Sequence, residues 1–168
     1  ENAERETAPC SNKRIFPEAR QLKVNTLIKL EKYRDALETA KNALRNKEDD
    51  INFYNYGRTN ELVGLDAEAG DAYEKAIRKN KTFLEAYVNL ADLQRRQNKL
   101  NDAMETITEA LQIDKNYPSA YKVRSAIFAD QLKYAEAIND ISTVLLLEPE
   151  NEAMFFLRGK YYQDYAQH

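Results

Sequence analysis

An all-α fold, built as a stack of helix hairpins, follows from three features of this sequence. Apolar residues recur at spacings of three and four, which places them on one face of a helix. The same residue classes return every 34 residues. Glycine and proline are scarce, four of each in 168 residues, which suits helices and opposes a turn-rich β sandwich.

The clearest unit is 84–117. Its first half carries Tyr87, Leu90, Ala91 and Gln94, and its second half Ala103, Ile107, Ala110 and Leu111. The small residues matter most, because helices approach closely only where side chains are short. Tyr87 has counterparts at Phe53, Tyr121 and Phe155, each 34 residues from the next. Ala91 has counterparts at Gly57, Ser125 and Gly159 in the same phase. Ala103 is matched by Ala36, Ala69 and Ala137, and Ala110 by Ala43, Ala76 and Val144. Ile107 is matched by Tyr73 and Ile141. Self-similarity at a fixed period of this length is the signature of a solenoid.

Tyr87, Leu90-Ala91, Ala103 and Ala110, with Lys133-Tyr134-Ala135-Glu136-Ala137 as a second close match, resemble the tetratricopeptide repeat family. The family's usual repeat-end proline appears only at Pro149. The resemblance covers roughly residues 17 to 166. It implies a right-handed α-solenoid, a superhelix whose first helices line a concave groove that takes a protein or peptide partner.

The elements follow in order. Residues 1–14 show no period and mix both charges, so they are expected to be a flexible leader before a repeat domain over 15–168. Repeats are expected at about 17–49, 50–83, 84–117 and 118–151, with a closing helix at 152–166. The first pair is Ile15 to Leu30 and Tyr33 to Asn46, with Pro17 near the start, where proline is tolerated. It is the least regular pair: Arg20 stands in the aromatic's place and Val24 in the small residue's, as suits an end repeat.

The second pair is Ile51 to Val63 and Asp66 to Lys79, turning at Gly64. Gly70 weakens its second helix by about 1 kcal/mol relative to alanine, either for a close contact or as a locally weak helix. Thr82-Phe83-Leu84-Glu85 fits a capping box opening the third pair, which turns at Gln97-Asn98-Lys99. The fourth pair runs from Pro118 to Leu147 and turns at Leu132-Lys133. Asn151 is the expected N-cap of the last helix, Glu152 to Tyr165. That helix is aromatic on more than one side, at Phe155, Phe156, Tyr161, Tyr162 and Tyr165. Three explanations stay open: a cap that buries most of the rings, a chain that continues with more repeats, or a helix that pairs with another molecule, as in a homodimer.

Composition narrows function. The net charge is −3 and the pI near 5.4, without the basic face that nucleic acid needs. That weakens the RNA-reading pentatricopeptide alternative. No apolar run reaches the roughly 18 residues of a membrane span. Cys10 is the only cysteine, so no intrachain disulfide forms, and it reads as an incidental exposed thiol. The first residue is Glu, which fits a removed signal peptide or a piece of a longer chain; a cytoplasmic and an envelope location both stay open.

The only histidine is His168, the last residue, so no Ser–His or Cys–His arrangement lies within the repeats. No phosphate loop and no metal-ligand spacing is present. Asp49-Asp50 and Glu148…Glu150 sit at repeat ends and read as helix-start and loop residues. No catalytic, cofactor or metal site is expected.

What remains is surface. By the family resemblance the groove candidates are Tyr54, Asn55, Arg58, Asn89, Asp92, Arg96 and Lys122, with Gln21, Asn25, Glu61, Glu85, Arg95 and Asp130 nearby. Asn55 and Asn89 are 34 apart and expected one above the other; an amide both donates and accepts, so it can bond a peptide backbone of any sequence. The family's carboxylate clamp for chaperone tails needs lysine and arginine where this chain has Gln21 and Glu85, or Tyr54, Ser119 and Val123. Chaperone-tail binding is therefore not expected. The expected function is non-catalytic protein or peptide binding. The alternatives are a self-association element using the aromatic last helix, or an adaptor domain of a larger assembly.

Overall fold

The computed structural model describes residues 17–167. The leader, Cys10, Ile15, His168 and the Arg20 side chain lie outside what is described. Among the described residues there are nine helices and no strand. They are α1 (Pro17–Lys29), α2 (Tyr33–Asn46), α3 (Asp50–Leu62), α4 (Asp66–Lys79), α5 (Leu84–Arg96), α6 (Leu100–Ile113), α7 (Pro118–Asp130), α8 (Tyr134–Leu147) and α9 (Glu152–Tyr165). Each helix packs on the next in chain order. Successive first helices also touch, α1 with α3 and α5 with α7, as helices on the inside of a curve do. Among the described residues no helix is long and apolar enough to cross a membrane.

The small-residue frame is the core. Ala36, Ala69, Ala103 and Ala137 are fully buried, as are Ala76, Ala110, Val144, Ile107 and Ile141. Gly57 shows why the frame must be small. A Cβ there would lie 2.7 Å from the Tyr73 ring, so α3 and α4 meet only because the side chain is absent.

Every hairpin turns through one left-handed residue: Glu31, Gly64, Asn98 and Leu132, at φ of 56°, 81°, 61° and 60°. The hydrogen bonds repeat too. In the third hairpin Lys99 N–H donates to the Gln94 carbonyl at 2.9 Å and Asn98 N–H to that of Arg95 at 2.9 Å. This is a Schellman close, which satisfies carbonyls the helix end would leave orphaned.

Two expected caps do not form. The Thr82 hydroxyl and amide both donate to Asn80 Oδ1, at 2.9 and 3.0 Å, so no capping box opens α5. Asn80 intercepts them two residues earlier, and the N-cap position falls on Phe83. Asn151 does hold the N-cap position of α9, but its side chain donates to Glu148 Oε2 at 2.7 Å instead of accepting from the helix. Asp49, at a repeat end, does cap, accepting from Asn52 N–H at 2.9 Å. The Gly70 alternatives also separate: a Cβ would meet only Leu93 Cδ2 at 3.7 Å, an ordinary contact, so no close approach requires glycine.

Candidate functional site

The first helices of successive repeats are joined along their inner side by polar side chains. Arg58 Nη1 of α3 donates to Asn25 Oδ1 of α1 at 2.9 Å. Arg96 of α5 pairs with Glu61 of α3. Arg95 of α5 donates to Asp130 of α7 at 2.8 Å. Asn89 Nδ2 lies 3.4 Å from the hydroxyls of both Tyr54 and Tyr73. The pairs that join first helices are 33 to 35 residues apart, one repeat, so each rung crosses a repeat boundary.

Tyr73 connects this row to the core. Its ring fills the space that Gly57 leaves, and its hydroxyl donates to Glu61 Oε2 at 2.6 Å. Burial, reinforced by Glu61, pushes its phenol pKa far above the ordinary range. Tyr54 is half-buried against Phe83, ring centroids 4.9 Å apart, with the Arg58 guanidinium 5.6 Å over its ring. Burial raises its phenol pKa as well, against the pull of Arg58.

Asp92 is held by both neighbours, Arg95 at 3.0 Å and Arg96 at 3.3 Å. Lys122 donates to Glu148 at 2.7 Å, and that bond, helped by Asn151, holds the Glu148 carboxyl below its usual range. Six of the seven groove candidates thus sit in polar contacts or ring stacks with other residues of the same or neighbouring repeats. Asn55 differs. It is 3% exposed, and its Oδ1 has no hydrogen-bond partner among the described residues. Asn60 on the same helix also keeps an unpartnered Oδ1, so the feature is not confined to one place.

The sequence offers these residues as groove candidates without showing that their charges neutralise each other. The signal was available: arginine and carboxylate stand one repeat apart at Glu61 and Arg96 and at Arg95 and Asp130. The sequence also does not single out a buried pair outside the row. Arg124 of α7 grips Asp140 of α8 with two bonds, at 2.8 and 2.7 Å.

The aromatic last helix divides. Tyr161 is buried, packed with Ile138, Ile141 and Leu145. Phe155 is 49% exposed, Phe156 80%, Tyr162 55% and Tyr165 57%. Depressions of about 500 Å³ lie elsewhere, one of them lined by Met104, Thr108 and Phe128 beside α6. No cluster able to hold a metal ion occurs among the described residues.

Comparison with known proteins agrees with this architecture. The structure named as TTC0263, a tetratricopeptide protein of Thermus thermophilus, superposes with a TM-score of 0.73 at 19% identity, over 89% of this chain and 88% of that one. YrrB, described as a tetratricopeptide protein with an unusual peptide-binding site, gives 0.71 at 17% identity, over 84% and 73%. The first tetratricopeptide domain of Spaghetti (RPAP3), bound to the HSP90 peptide SRMEEVD, gives 0.66 at 26% identity, over 70% and 93%. The human DnaJ homolog subfamily C member 7 is 32% identical over 79 residues, 47% of this chain but only 16% of that protein's length. Tetratricopeptide repeat models match residues 22–82 and 67–127, overlapping across the core of the solenoid. Fold, period and family match agree, and the chain belongs to the tetratricopeptide repeat family.

Proposed function

We propose that the chain is a non-catalytic binding module whose inner face holds a peptide or protein segment. The observation that carries this reading is the row running from Asn25 to Asp130, in which polar side chains of four successive first helices are fixed by one another. Fixed side chains bind with less loss of freedom than mobile ones.

The row argues against one kind of partner. A tail such as SRMEEVD, which the RPAP3 domain holds, needs cations for its carboxylates. Here Glu85 occupies such a slot, and Arg58, Arg95 and Arg96 are already engaged. The partner expected is an extended segment of mixed charge, with register set by charge more than affinity.

The test is selection from a displayed library of random peptides, followed by affinity measurement on variants. Asn89→Ala and Arg58→Ala should each weaken the selected peptides about tenfold, or about 1.4 kcal/mol, while Lys75→Ala on α4 should leave them unchanged. Peptides indifferent to the inner-face changes would overturn the reading. The SRMEEVD peptide should not compete.

A second reading rests on the exposed rings of α9: the helix is a contact surface in its own right, with self-association as its simplest form. Sedimentation equilibrium at rising concentration tests it. A dimer broken by Phe156→Glu supports it, and a monomer throughout removes it.

A further inference from the structure

In the second and third repeats three places on the first helix are covered by the second helix, and in α7 the same places are buried at Ser125 and half-buried at Tyr121 and Phe128. In α3 they are Phe53, Gly57 and Asn60, all buried. In α5 Tyr87 and Ala91 are buried, and Gln94 is sealed by a 2.9 Å bond from Thr106 of α6. In α9 the same places are Phe155, Gly159 and Tyr162, and all three are exposed. A Cβ added at Gly159 would meet nothing within 4 Å, whereas at Gly57 it would strike Tyr73 of the partner helix. So α9 carries the seat for a second helix, and among the described residues nothing fills it.

The filled seats define what fits. Each second helix presents a small residue, then a larger or equal apolar residue four positions on, then another small or branched residue three beyond: Ala69, Tyr73 and Ala76, or Ala137, Ile141 and Val144. Charge adds a further requirement. Arg124 of α7 is gripped by Asp140 of α8, with its guanidinium 5.3 Å over Tyr121. Arg158 stands 34 residues later, with its guanidinium 5.4 Å over Phe155, the counterpart of Tyr121. Yet Arg158 has no carboxylate partner among the described residues, only a 3.3 Å bond back to Ser142 of α8. In repeats whose first helix has Tyr56 or Leu90 at this place, the second helix has Ala72 or Thr106, not an acid. In the first repeat Lys23 stands opposite Thr39, so the acid accompanies the one arginine at this place, not every cation.

We infer that α9 docks an amphipathic helix of a partner protein carrying the frame Ala-x-x-Asp/Glu-Ile/Leu-x-x-Ala/Val, with its acid on Arg158 and its first alanine against Gly159. The surface extends the α7–α8 interface by one repeat, which fixes the binding geometry. A second copy of this chain fits less well. Its α9 lacks the acid-bearing frame, and two α9 helices crossing at Gly159 would bring Arg158 toward Arg158.

The probe is a helix-stabilised peptide bearing the α8 frame of residues 134–147, with its two terminal leucines replaced by lysine, beside a scrambled peptide of the same composition. Titration into the whole protein is read by fluorescence anisotropy and by amide NMR shifts. The framed peptide should bind and move the amides of Phe155, Gly159 and Tyr162. Replacing its aspartate with lysine, or Arg158→Glu in the protein, should each weaken binding about tenfold, and the two together should restore it. Gly159→Leu should abolish it, and Asn89→Ala should not matter. Equal binding of the scrambled peptide, no binding, shifts on the inner face, a charge swap that restores nothing, or α9 already occupied in the whole protein, by a second copy in sedimentation or by a further helix of the same chain in its NMR contacts, would each overturn the inference.

Discussion

Gly57 decides the geometry of two regions at once. Because it lacks a side chain, Tyr73 lies against α3 and its hydroxyl reaches Glu61 on the inner face. Gly57→Ala would put a methyl group 2.7 Å from a fully buried ring that a hydrogen bond also holds. The overpacking cost, about 1–3 kcal/mol, should exceed the helix-propensity gain of about 1 kcal/mol. Gly70→Ala has the opposite sign, since its Cβ makes only an ordinary contact, and should stabilise by about 0.5–1 kcal/mol. Urea denaturation of the two variants beside the parent checks both signs. Tyr73 also sets a pH limit. Its phenol pKa is raised by burial and by Glu61, so the folded state favours the neutral form. That stabilisation is complete below the ordinary tyrosine value of about 10 and is lost as pH climbs from there toward the raised value. Melting temperature should therefore fall more steeply above pH 10 in the parent than in Tyr73→Phe. At this scale the sequence showed which positions pack, because period and residue size report packing. It also held the one-repeat spacing of Glu61 and Arg96, but not whether they meet, which depends on the angle between successive hairpins and is encoded by no single helix.

Helix boundaries were legible to within a residue or two, since apolar periodicity stops where turns begin. The turns were only half legible. Gly64 and Asn98 are residues that tolerate the left-handed region, and they marked their turns by type. Glu31 and Leu132 adopt the same conformation with no such preference, because the Schellman hydrogen bonds and the packing of the two helices impose it. A left-handed conformation costs a non-glycine residue roughly 1–2 kcal/mol. Leu132 is mostly exposed, so its side chain returns little of that through burial. Leu132→Gly should raise stability by about 0.5–1 kcal/mol after the extra entropy of an unfolded glycine is subtracted, visible as a higher thermal midpoint. Gly64→Val, forcing a branched side chain into φ of 81°, should lower it. The capping box expected at Thr82 fails for the reason that hid the charge pairs: Asn80, also bound to Asp50 at 2.7 Å across the repeat, is better placed to take the donors.

Among the described residues the buried apolar side chains of α3 to α9 gather in two clusters that meet at α7. One cluster runs from Phe53 through Tyr73, Leu93 and Ile107 to Ile127, and so spans α3 to α7. A second gathers Ala137, Ile138, Ile141, Leu145 and Tyr161 on α8 and α9. Between them Arg124 and Asp140 join α7 to α8 by two hydrogen bonds, and the apolar link is thin, carried by the half-buried Phe128 and Ala129 of α7 against the second cluster. In a solenoid each repeat is stabilised mainly by its neighbours, so end elements open first and a break in packing limits how far the opening spreads. Native-state hydrogen exchange should therefore be graded. Amides of α4 to α6 should exchange only through global unfolding, while α9 and α1 exchange through cheaper local openings. Asp140→Asn, which weakens the grip on Arg124, should lower the opening energy of α8 and α9 together and leave α4 to α6 nearly unchanged. Uniform exchange along the chain, or an Asp140→Asn effect spread over all repeats, would mean that the two clusters act as one core. A helix docked on α9 should have the reverse effect and slow its exchange toward that of the interior repeats, because it supplies the neighbour that every earlier first helix already has.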